Sequence, residues 1–353
     1  MTQRTWAAAV AVPLLLALGM YAAIKPLPFV TYAPGLTVNV LGDNDGRPVI
    51  DVQGHPTYPD AGQLRMTTVS VTDRNSDLDL LTLMRTWFSR DDGIYPFAIQ
   101  YGSSGSSQED QEEGQVEMIS SQDAAVAAAL RQLGYSVKPN LQIVVVQPDM
   151  PSVGKLQPRD ILLKVGKTKV NPKTVVPNLI AAVPDGRSVP VTVERQGKRV
   201  TVHVTPRTVD GHKYIGVKLG IGYDFPFQVS VNINDAIGGP SAGLMFALSI
   251  YDTLTPGSIT SGGVVAGTGT ITGHGRVGAI GGIQQKIVGA RQAGAQLFLV
   301  PAANCDDAIT SDHGSMRLAQ IATLKQAIAE VTAWGKNHDV ALPQCTASKR
   351  SGT

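Results

Sequence analysis

The chain has 353 residues, enough for two folded modules with separate cores. Its 30 Lys and Arg against 28 Asp and Glu leave a net charge of +2, and no basic stripe is interleaved with aromatic residues. This balance excludes the strongly basic class of nucleic-acid-binding proteins, so no nucleic-acid partner is predicted. The two cysteines, Cys305 and Cys345, lack the spacing of a zinc site, and no metal or organic cofactor is predicted.

Residues 6–24 form an uncharged, largely apolar run between Arg4 and Lys25. As a helix this run would extend roughly 28 Å, about the thickness of the hydrocarbon core of a bilayer. A cleaved signal peptide is the alternative, but Tyr21-Ala22-Ala23 is a poor cleavage site, although Ala17-Leu18-Gly19 is passable. We therefore predict a retained single-pass transmembrane anchor over residues 1–25. The weak charge asymmetry of its flanks predicts a body outside the cytoplasm.

The next part of the chain, residues 26–140, is predicted to mix extended and helical structure. Residues 26–63 are turn-rich and extended, and a strand is predicted over Leu64–Val71. Residues 103–114 are acidic and small, which predicts a solvated loop. An amphipathic helix is predicted over Ser121–Leu133.

Residues 141–207 change character to strands and turns. A buried strand begins at Leu141, a helix is predicted over Lys173–Ala182, and a hairpin follows with Gln196-Gly197 at its turn. The stretch from Pro151 to Val165 resembles the recurring pattern of PDZ domains of bacterial proteases. That resemblance implies a module that binds extended peptides at a sheet edge, the alternative being a packing domain without a ligand.

A third part, residues 208–343, alternates strands with helices, and a polar tail follows over 344–353. Two strands precede the motif GGPSAG, and an apolar helix (LMFALSIYDTL) follows it. A glycine-rich strand–turn–strand run, a helix (IQQKIVGARQAG) and a strand (LFLVPAAN) come next. This alternation predicts a mixed α/β fold.

Ser241 lies between a strand and a helix, among residues small enough for a carbonyl substrate to approach. The N–H groups at the start of the helix suit an oxyanion. A helix N-cap is the alternative role for this serine. A serine nucleophile also needs a base. His274, His313 and His338 follow Ser241 in the sequence, and with Asp312 they leave a Ser-His-Asp hydrolase formally open.

Lys286 is the better candidate for the base. Ile283, Lys286, Ile287 and Ala290 have the i, i+3, i+4, i+7 spacing of one helix face, so the lysine lies on the apolar side of its helix. A lysine among apolar groups is desolvated, which lowers its pKa toward that of a general base. A lysine at the edge of the stripe with its ammonium in water is the alternative.

The ordered set GPSAG, T-G-x-I-T, G-x-V-x-x-I-G-G-x-x-x-K, R-x-A-G and V-P-x-x-N resembles the proteolytic domain of Lon-type Ser-Lys proteases. The resemblance implies that Ser241 is the nucleophile, that Lys286 is its base and that Thr268 steadies the lysine. It also implies supporting roles for the neighbours of the serine, Gly239, Pro240 and Ala242. Two positions depart from the family pattern, since Gly238 and Thr270 stand where acidic residues are usual.

The combined resemblance implies a Lon proteolytic-domain-like α/β (α+β) fold, with the PDZ-like module inserted between residues 140 and 208. The implied function is an ATP-independent endopeptidase like the exported PDZ–Lon proteins of Gram-positive bacteria. Unfolded or extended protein segments would be its substrates, and a homo-oligomer, for example a hexamer, its assembly.

The stretch nearest to a Walker motif, Gly166-Lys167-Thr168, has Ile161 in place of the required glycine. A catalytically silent, membrane-tethered PDZ scaffold is the alternative. In an oxidising compartment we expect Cys305 and Cys345 to be paired.

Overall fold

The computed structural model describes residues 3–44, 46–102, 105–234 and 236–346. The helices have these bounds: α1 Gln3–Ile24, α2 Leu80–Phe88, α3 Phe97–Tyr101, α4 Ser107–Gln132, α5 Val176–Ala181, α6 Gly243–Thr253, α7 Ile283–Gln292, α8 Cys305–Ala308 and α9 Leu324–Lys336. The strands are β1 Phe29–Asn39, β2 Asp43–Asn44, β3 Arg47–Pro48, β4 Ile50–Gln53, β5 Gln63–Val71, β6 Gly93–Pro96, β7 Lys138–Val146, β8 Ile161–Val165, β9 Thr168–Lys169, β10 Val189–Arg195, β11 Lys198–Val204, β12 Arg207–Val209, β13 His212–Tyr214, β14 Val217–Asp224, β15 Gln228–Val231, β16 Val264–Gly267, β17 Thr270–Ile271, β18 Val277–Gly278, β19 Leu297–Pro301 and β20 Arg317–Ile321.

The first large sheet has the strand order β20-β19-β16-β5-β1-β6. Strand β16 pairs in parallel with β5 and β19, and β19 pairs in parallel with β20, whereas β1 is antiparallel to β5 and β6. Helix α6 is almost wholly apolar and packs in the core of this part, with Phe246 and Leu248 fully buried. Strands from early and late in the chain therefore share one sheet.

The second large sheet has the order β11-β10-β8-β7-β14, with β9 paired to β8. Its separate core includes Ile143, Val191, Val193 and Val204. Strand β14 pairs along its whole length with β7, so this sheet takes a strand from beyond residue 207. The predicted helix over Lys173–Ala182 is shorter in the structure and begins at Val176, because Pro177 suits only the first turn of a helix.

Residues 6–24 lie within α1, as the apolar run predicts. The side chains from Val10 to Tyr21 are all exposed. In the part of the chain that the structure describes, no helix is both long enough and apolar enough to span a membrane. The first two residues of the predicted 1–25 segment lie outside the described residues.

The solvated loop predicted over 103–114 is wrong for residues 107–114, which form the first turns of α4; residues 103 and 104 lie outside the described residues. Ser106 and Glu109 form a capping box, each side chain accepting a hydrogen bond from the other's backbone N–H. The acidic residues of the first turn favour the positive end of the helix dipole, and Asp110 forms an ion pair with Arg74. Together these contacts start the helix 14 residues before the predicted start at Ser121.

The predicted disulfide between Cys305 and Cys345 is confirmed. It joins the start of α8 to the segment after α9, which also packs against β20 through the hydrogen bond from Gln320 N–H to the Pro343 carbonyl. The predicted polar tail begins in this segment, and its residues 347–353 lie outside the described part of the chain.

Candidate active site

The segment before α6 carries Ser241 at the edge of a cleft. Gly239 has a left-handed backbone (φ 87°), a conformation that favours glycine. The helix begins at Gly243, and its N-cap is Ala242. The N-cap role considered for Ser241 is therefore wrong, and its hydroxyl is free for other contacts.

The carbonyl of Ser241 is held by residues that follow β16. It accepts hydrogen bonds from the Thr268 hydroxyl (3.0 Å) and from the Gly269 N–H (2.8 Å). Three positions after the serine, in the first turn of α6, the Leu244 N–H donates to the Gly269 carbonyl (3.0 Å). Two chain segments about 27 positions apart are thereby fixed against each other at the serine.

Lys286 reaches the site from the first turn of α7. The helix starts after Gly282, which has a left-handed backbone (φ 68°). Its missing side chain leaves room for β5, since a Cβ there would lie 2.6 Å from a Val69 methyl group. Ile283, Ile287 and Ala290 of the same helix face are buried, as their spacing predicts. Lys286 is buried with them and is only 3% exposed.

The side chains of Ser241, Thr268 and Lys286 meet at one point. Nζ of Lys286 lies 2.7 Å from Oγ of Ser241 and 3.2 Å from Oγ1 of Thr268. No carboxylate of the described residues forms an ion pair with this lysine. Burial alone lowers the pKa of Lys286 to about 8. At this pKa a substantial fraction of the lysine is neutral in mildly alkaline solution, and a neutral amine can accept the proton of a hydroxyl.

The backbone around the serine offers donors for an anion. Within the described part of the chain, the N–H groups of Ser241 and Ala242 have no hydrogen-bond acceptor. The N–H of Gly239 is already used, because it donates to the Gly114 carbonyl (3.0 Å). The start of α6 adds the positive end of its dipole. A tetrahedral oxyanion formed on Ser241 would therefore have unpaired donors beside it.

Two cavities that share lining residues border the dyad. The smaller, about 180 Å³, is apolar on one side and includes Met66, Met118 and Ile237 among its lining residues. The larger, about 580 Å³, has an acidic and aromatic wall with Tyr32 and Glu117. Burial and the nearby Glu113 raise the pKa of Glu117. Both cavities include Ser241 and Lys286, so they form one candidate substrate cleft.

Helix α4 is a wall of the cleft, and the sequence predicted only its part from Ser121 onward. The Ser121 hydroxyl donates to the Pro240 carbonyl (2.9 Å), and Gly114 contacts the backbone of Gly238. The signal that could have revealed the start of this helix is the spacing of Ser106 and Glu109, which fits a capping box. Because residues 103–114 were expected to be a loop, no wall was predicted from them.

The two departures from the family pattern have clear positions. A Cβ on Gly238 would lie 3.4 Å from the Gly114 Cα, so its missing side chain lets α4 approach the serine segment closely. Thr270 lies in the short strand β17 opposite Gly278. Neither position contributes a side chain to the contacts of Lys286.

The histidines of the alternative triad lie elsewhere. His274 is exposed, His313 contacts the Met316 carbonyl, and His338 stacks on Trp334. Asp312 pairs with Arg291 rather than with a histidine. Among the described residues, no histidine lines either cavity at Ser241. The residues that the structure describes do not assemble a Ser-His-Asp triad.

Comparison with known proteins finds two family models that match separate parts of the chain. The family model of the Lon protease (S16) C-terminal proteolytic domain matches residues 234–331, which contain Ser241, Thr268 and Lys286. The PDZ domain model matches residues 131–205. The chain contains a Lon-type proteolytic domain and a PDZ domain.

Several relatives share the Lon-type part. Lon protease of Xanthomonas oryzae pv. oryzae is 38% identical over 95 residues, which are 26% of this chain and 11% of that protein. Lon protease 1 of Sorangium cellulosum is 37% identical over 120 residues, or 32% of this chain and 14% of that protein. The chain thus spans only a small part of the length of these curated relatives.

A solved structure shares the other part. The PDZ domain of the SdrC-like protein of Listeria monocytogenes is 17% identical, and the match covers 23% of this chain and 86% of that domain. The TM-score of 0.21 is too low to carry any argument.

Proposed function

We propose that this chain is a serine endopeptidase in which Ser241 is the nucleophile and Lys286 the general base. The observation that carries the proposal is the 2.7 Å separation between Nζ of a buried lysine and Oγ of the serine. Nucleophile and base must lie within hydrogen-bond reach, and the pKa of the base must lie near the working pH. The lowered pKa of Lys286, about 8, meets the second requirement.

The proposed reaction is hydrolysis of a peptide bond through an acyl-enzyme. The Ser241 O–H donates to neutral Nζ of Lys286 and transfers its proton as Oγ attacks the scissile carbonyl carbon. The N–H groups of Ser241 and Ala242 donate to the tetrahedral oxyanion. The ammonium of Lys286 then protonates the leaving amine, and a water molecule, deprotonated by the lysine, releases the acyl group. Thr268 Oγ1 keeps Nζ directed at the serine.

The cleft supports extended or unfolded protein segments as substrates, because it is open and runs between strand β5 and helix α4. We propose that cleavage does not depend on ATP. The PDZ domain would take an extended peptide as a partner at a sheet edge. It would be an insertion within the protease part, a division supported by the pairing of β5 with β16 across it.

Location and assembly belong to the same proposal. The uncharged run 6–24 supports a single-pass anchor in the cell membrane with the catalytic body outside the cytoplasm, where the disulfide is stable. Extraction of membranes at alkaline pH tests the attachment, and release of the chain into the supernatant would oppose it.

A homo-oligomer, for example a hexamer, is expected by analogy with Lon-type domains. Sedimentation as a monomer at high micromolar concentration would oppose that assembly.

Covalent labelling tests the catalytic proposal. A peptide boronate should add to Oγ of Ser241 in the full chain, and mass spectrometry should locate the adduct on the peptide that contains Ser241. The Ser241→Ala variant should bind no boronate. A native chain that forms no adduct and cleaves no unfolded protein would instead favour the silent PDZ scaffold.

A further inference from the structure

Helix α2 has an apolar face that the described part of the protein leaves uncovered. We name Leu80, Leu81, Met84, Trp87 and Phe88 the α2 apolar face. Their positions fall within about a third of the helix circumference at 100° per residue. Trp87 is 77% and Phe88 79% exposed, and Leu81 is 60% exposed. Large aromatic side chains grouped in this way on a surface mark an interaction site.

One edge of the helix and its N-terminus attach it to the protein. Leu83 is buried, and the Asp79 side chain caps the helix by accepting a hydrogen bond from the Thr82 N–H (2.7 Å). At 100° per residue, Asp79 lies about 140° from the centre of the α2 apolar face. Within the helix, the only charged residue is Arg85. This distribution is that of an amphipathic helix with its apolar face turned outward.

Helix α2 also lies next to the apolar helix α1. The two helices are in contact, and the Leu27 N–H just after α1 donates to the Leu78 carbonyl just before α2 (2.9 Å). The large apolar side chains of α1 between Val10 and Tyr21 are 54–67% exposed. Two uncovered apolar surfaces are thus joined at one place.

The residues at this junction have the chemistry of a lipid interface. Tyr21 and Lys25 lie at the end of the apolar run, with the ammonium 5.9 Å from the centre of the tyrosine ring. Tyrosine, tryptophan and lysine are the residues enriched at the headgroup level of bilayers. Trp87 lies on the helix that begins beside this point.

We infer that the α2 apolar face lies on a lipid surface, with Trp87 and Phe88 inserted at the level of the headgroups and the first acyl carbons. The inference rests on the membrane attachment proposed for residues 6–24. A bilayer covers both apolar surfaces with one medium, whereas a second copy of the chain would have to match two helices at once. The cleft would then be held at a fixed orientation above the membrane.

Fluorescence quenching by brominated lipid tests this inference. The full chain is reconstituted into vesicles of phosphatidylcholine and phosphatidylglycerol, with or without bromine on the acyl chains. Of its three tryptophans, Trp334 is buried and gives a constant background. The emission of Trp87 is the difference between the native chain and Trp87→Phe. Trp6→Phe reports on the attached segment in the same way.

A matched control places a tryptophan on an exposed site of the PDZ domain. Val175 is 59% exposed, and the emission that Val175→Trp adds to the Trp87→Phe variant should not be quenched by bromine. In the native chain we expect brominated lipid to remove about half or more of the Trp87 emission, as for a side chain at the acyl boundary.

The outcomes separate the two proposals. Quenching of Trp6 without quenching of Trp87 would keep the attachment and overturn the inference about α2. Quenching of neither would contradict both. If Trp87 is unquenched and Trp87→Gln with Phe88→Gln converts a larger sedimenting species into a smaller one, a second copy covers the face and the lipid inference is wrong.

Discussion

At the scale of single residues, the site depends on a lysine that forms no ion pair with any carboxylate of the described residues. Lys286 has two hydroxyl oxygens as hydrogen-bond partners, and burial lowers its pKa to about 8. Hydroxyl groups solvate an ammonium less well than bulk water does, so the neutral amine is favoured relative to free lysine. The protein therefore prepares the base by desolvation rather than by repulsion between charges.

This environment predicts the pH dependence of cleavage. Below a pH of about 8, kcat/KM should rise roughly tenfold per pH unit, because only the neutral lysine can accept the proton of Ser241. Above that pH the rate should level off. Initial rates on an unfolded protein between pH 6 and about 9.5, with stability checked at each pH, give the profile. An ascending limb with its midpoint near pH 6.5, the usual range of histidine, would point to a different base.

A second buried residue predicts the pH dependence of stability. Asp252, at the end of α6 farther from Ser241, is fully buried and accepts a hydrogen bond from the Ile259 N–H. Burial, together with the nearby Asp60 carboxylate, raises the pKa of Asp252 to about 7. The folded state therefore binds the proton of Asp252 more tightly than the unfolded state does. The stabilisation from this proton is fully present below about pH 4 and is lost as the pH rises through about 7.

Asp252→Asn should remove the loss of stability at high pH, since an amide stays neutral. We expect the variant to be more stable than the native chain at pH 8 by on the order of 2 kcal/mol, with a smaller difference at pH 5. Urea unfolding at both pH values measures the change. Asp339→Asn, at an exposed position, is the matched control and should change neither value. A variant less stable than the native chain at pH 8 would contradict the assignment.

At the scale of secondary-structure elements, helix α4 holds the serine segment from outside the family motif. The Ser121 hydroxyl donates to the Pro240 carbonyl, and the Gly114 carbonyl accepts from the Gly239 N–H. Both contacts act on backbone atoms within two positions of Ser241. They position the nucleophile without touching the reacting atoms.

Ser121→Ala should therefore lower kcat by about fivefold, the rate equivalent of one neutral hydrogen bond of about 1 kcal/mol. The midpoint of the pH profile should stay the same, because the surroundings of Lys286 are unchanged. Ser120→Ala, at the neighbouring position, is the control and should keep the native rate. A shift of the pH midpoint in Ser121→Ala would mean that the residue acts on the lysine instead.

The disulfide belongs to the same scale, because it fixes the segment after α9 to the start of α8. Replacement of both Cys305 and Cys345 by serine should reduce the free energy of unfolding by about 2–4 kcal/mol, as expected for a closed loop of some 40 residues. Thermal unfolding of the double variant and of the native chain under reductant should give the same lowered midpoint. An unchanged midpoint in the double variant would contradict this stabilising role.

The sequence allowed some elements to be predicted better than others. The face of α7 follows from local spacing, so the burial of Lys286 could be predicted from residues 283–290 alone. The start of α4 was missed, because acidic composition was weighed above the capping pair Ser106 and Glu109. The contact between Gly114 and Gly238 joins residues far apart in the chain, and no local pattern contains it.

At the scale of the whole molecule, strand pairing decides the architecture. Strands β5 and β16 are about 200 residues apart and pair in parallel. Strands β7 and β14 are also far apart in the chain, and they pair as neighbours in the sheet that carries the second core. The mixed α/β class could be predicted from the alternation of elements. The addition of β14 to the second sheet could not be predicted, because its residue pattern suits a strand of either sheet. Only its pairing with β7 assigns it to the second one.

The central claim is that Lys286 is the base for Ser241, and one comparison of cleavage rates tests it most directly. The rates of the native chain, Ser241→Ala, Lys286→Arg and Lys286→Met on one unfolded protein substrate are measured at pH 8.5, just above the pKa of about 8. We expect all three variants to be inactive, because a guanidinium does not release its proton and a thioether is not a base.

The stability of Lys286→Met must accompany these rates. Removal of a buried, desolvated ammonium should leave the unfolding temperature unchanged or raise it, so that lost activity cannot be assigned to misfolding. His274→Ala, His313→Ala and His338→Ala serve as controls and should keep most of the native rate. Loss of cleavage in Lys286→Met and Lys286→Arg with a preserved fold is the predicted result. Full cleavage by Lys286→Met would contradict the account.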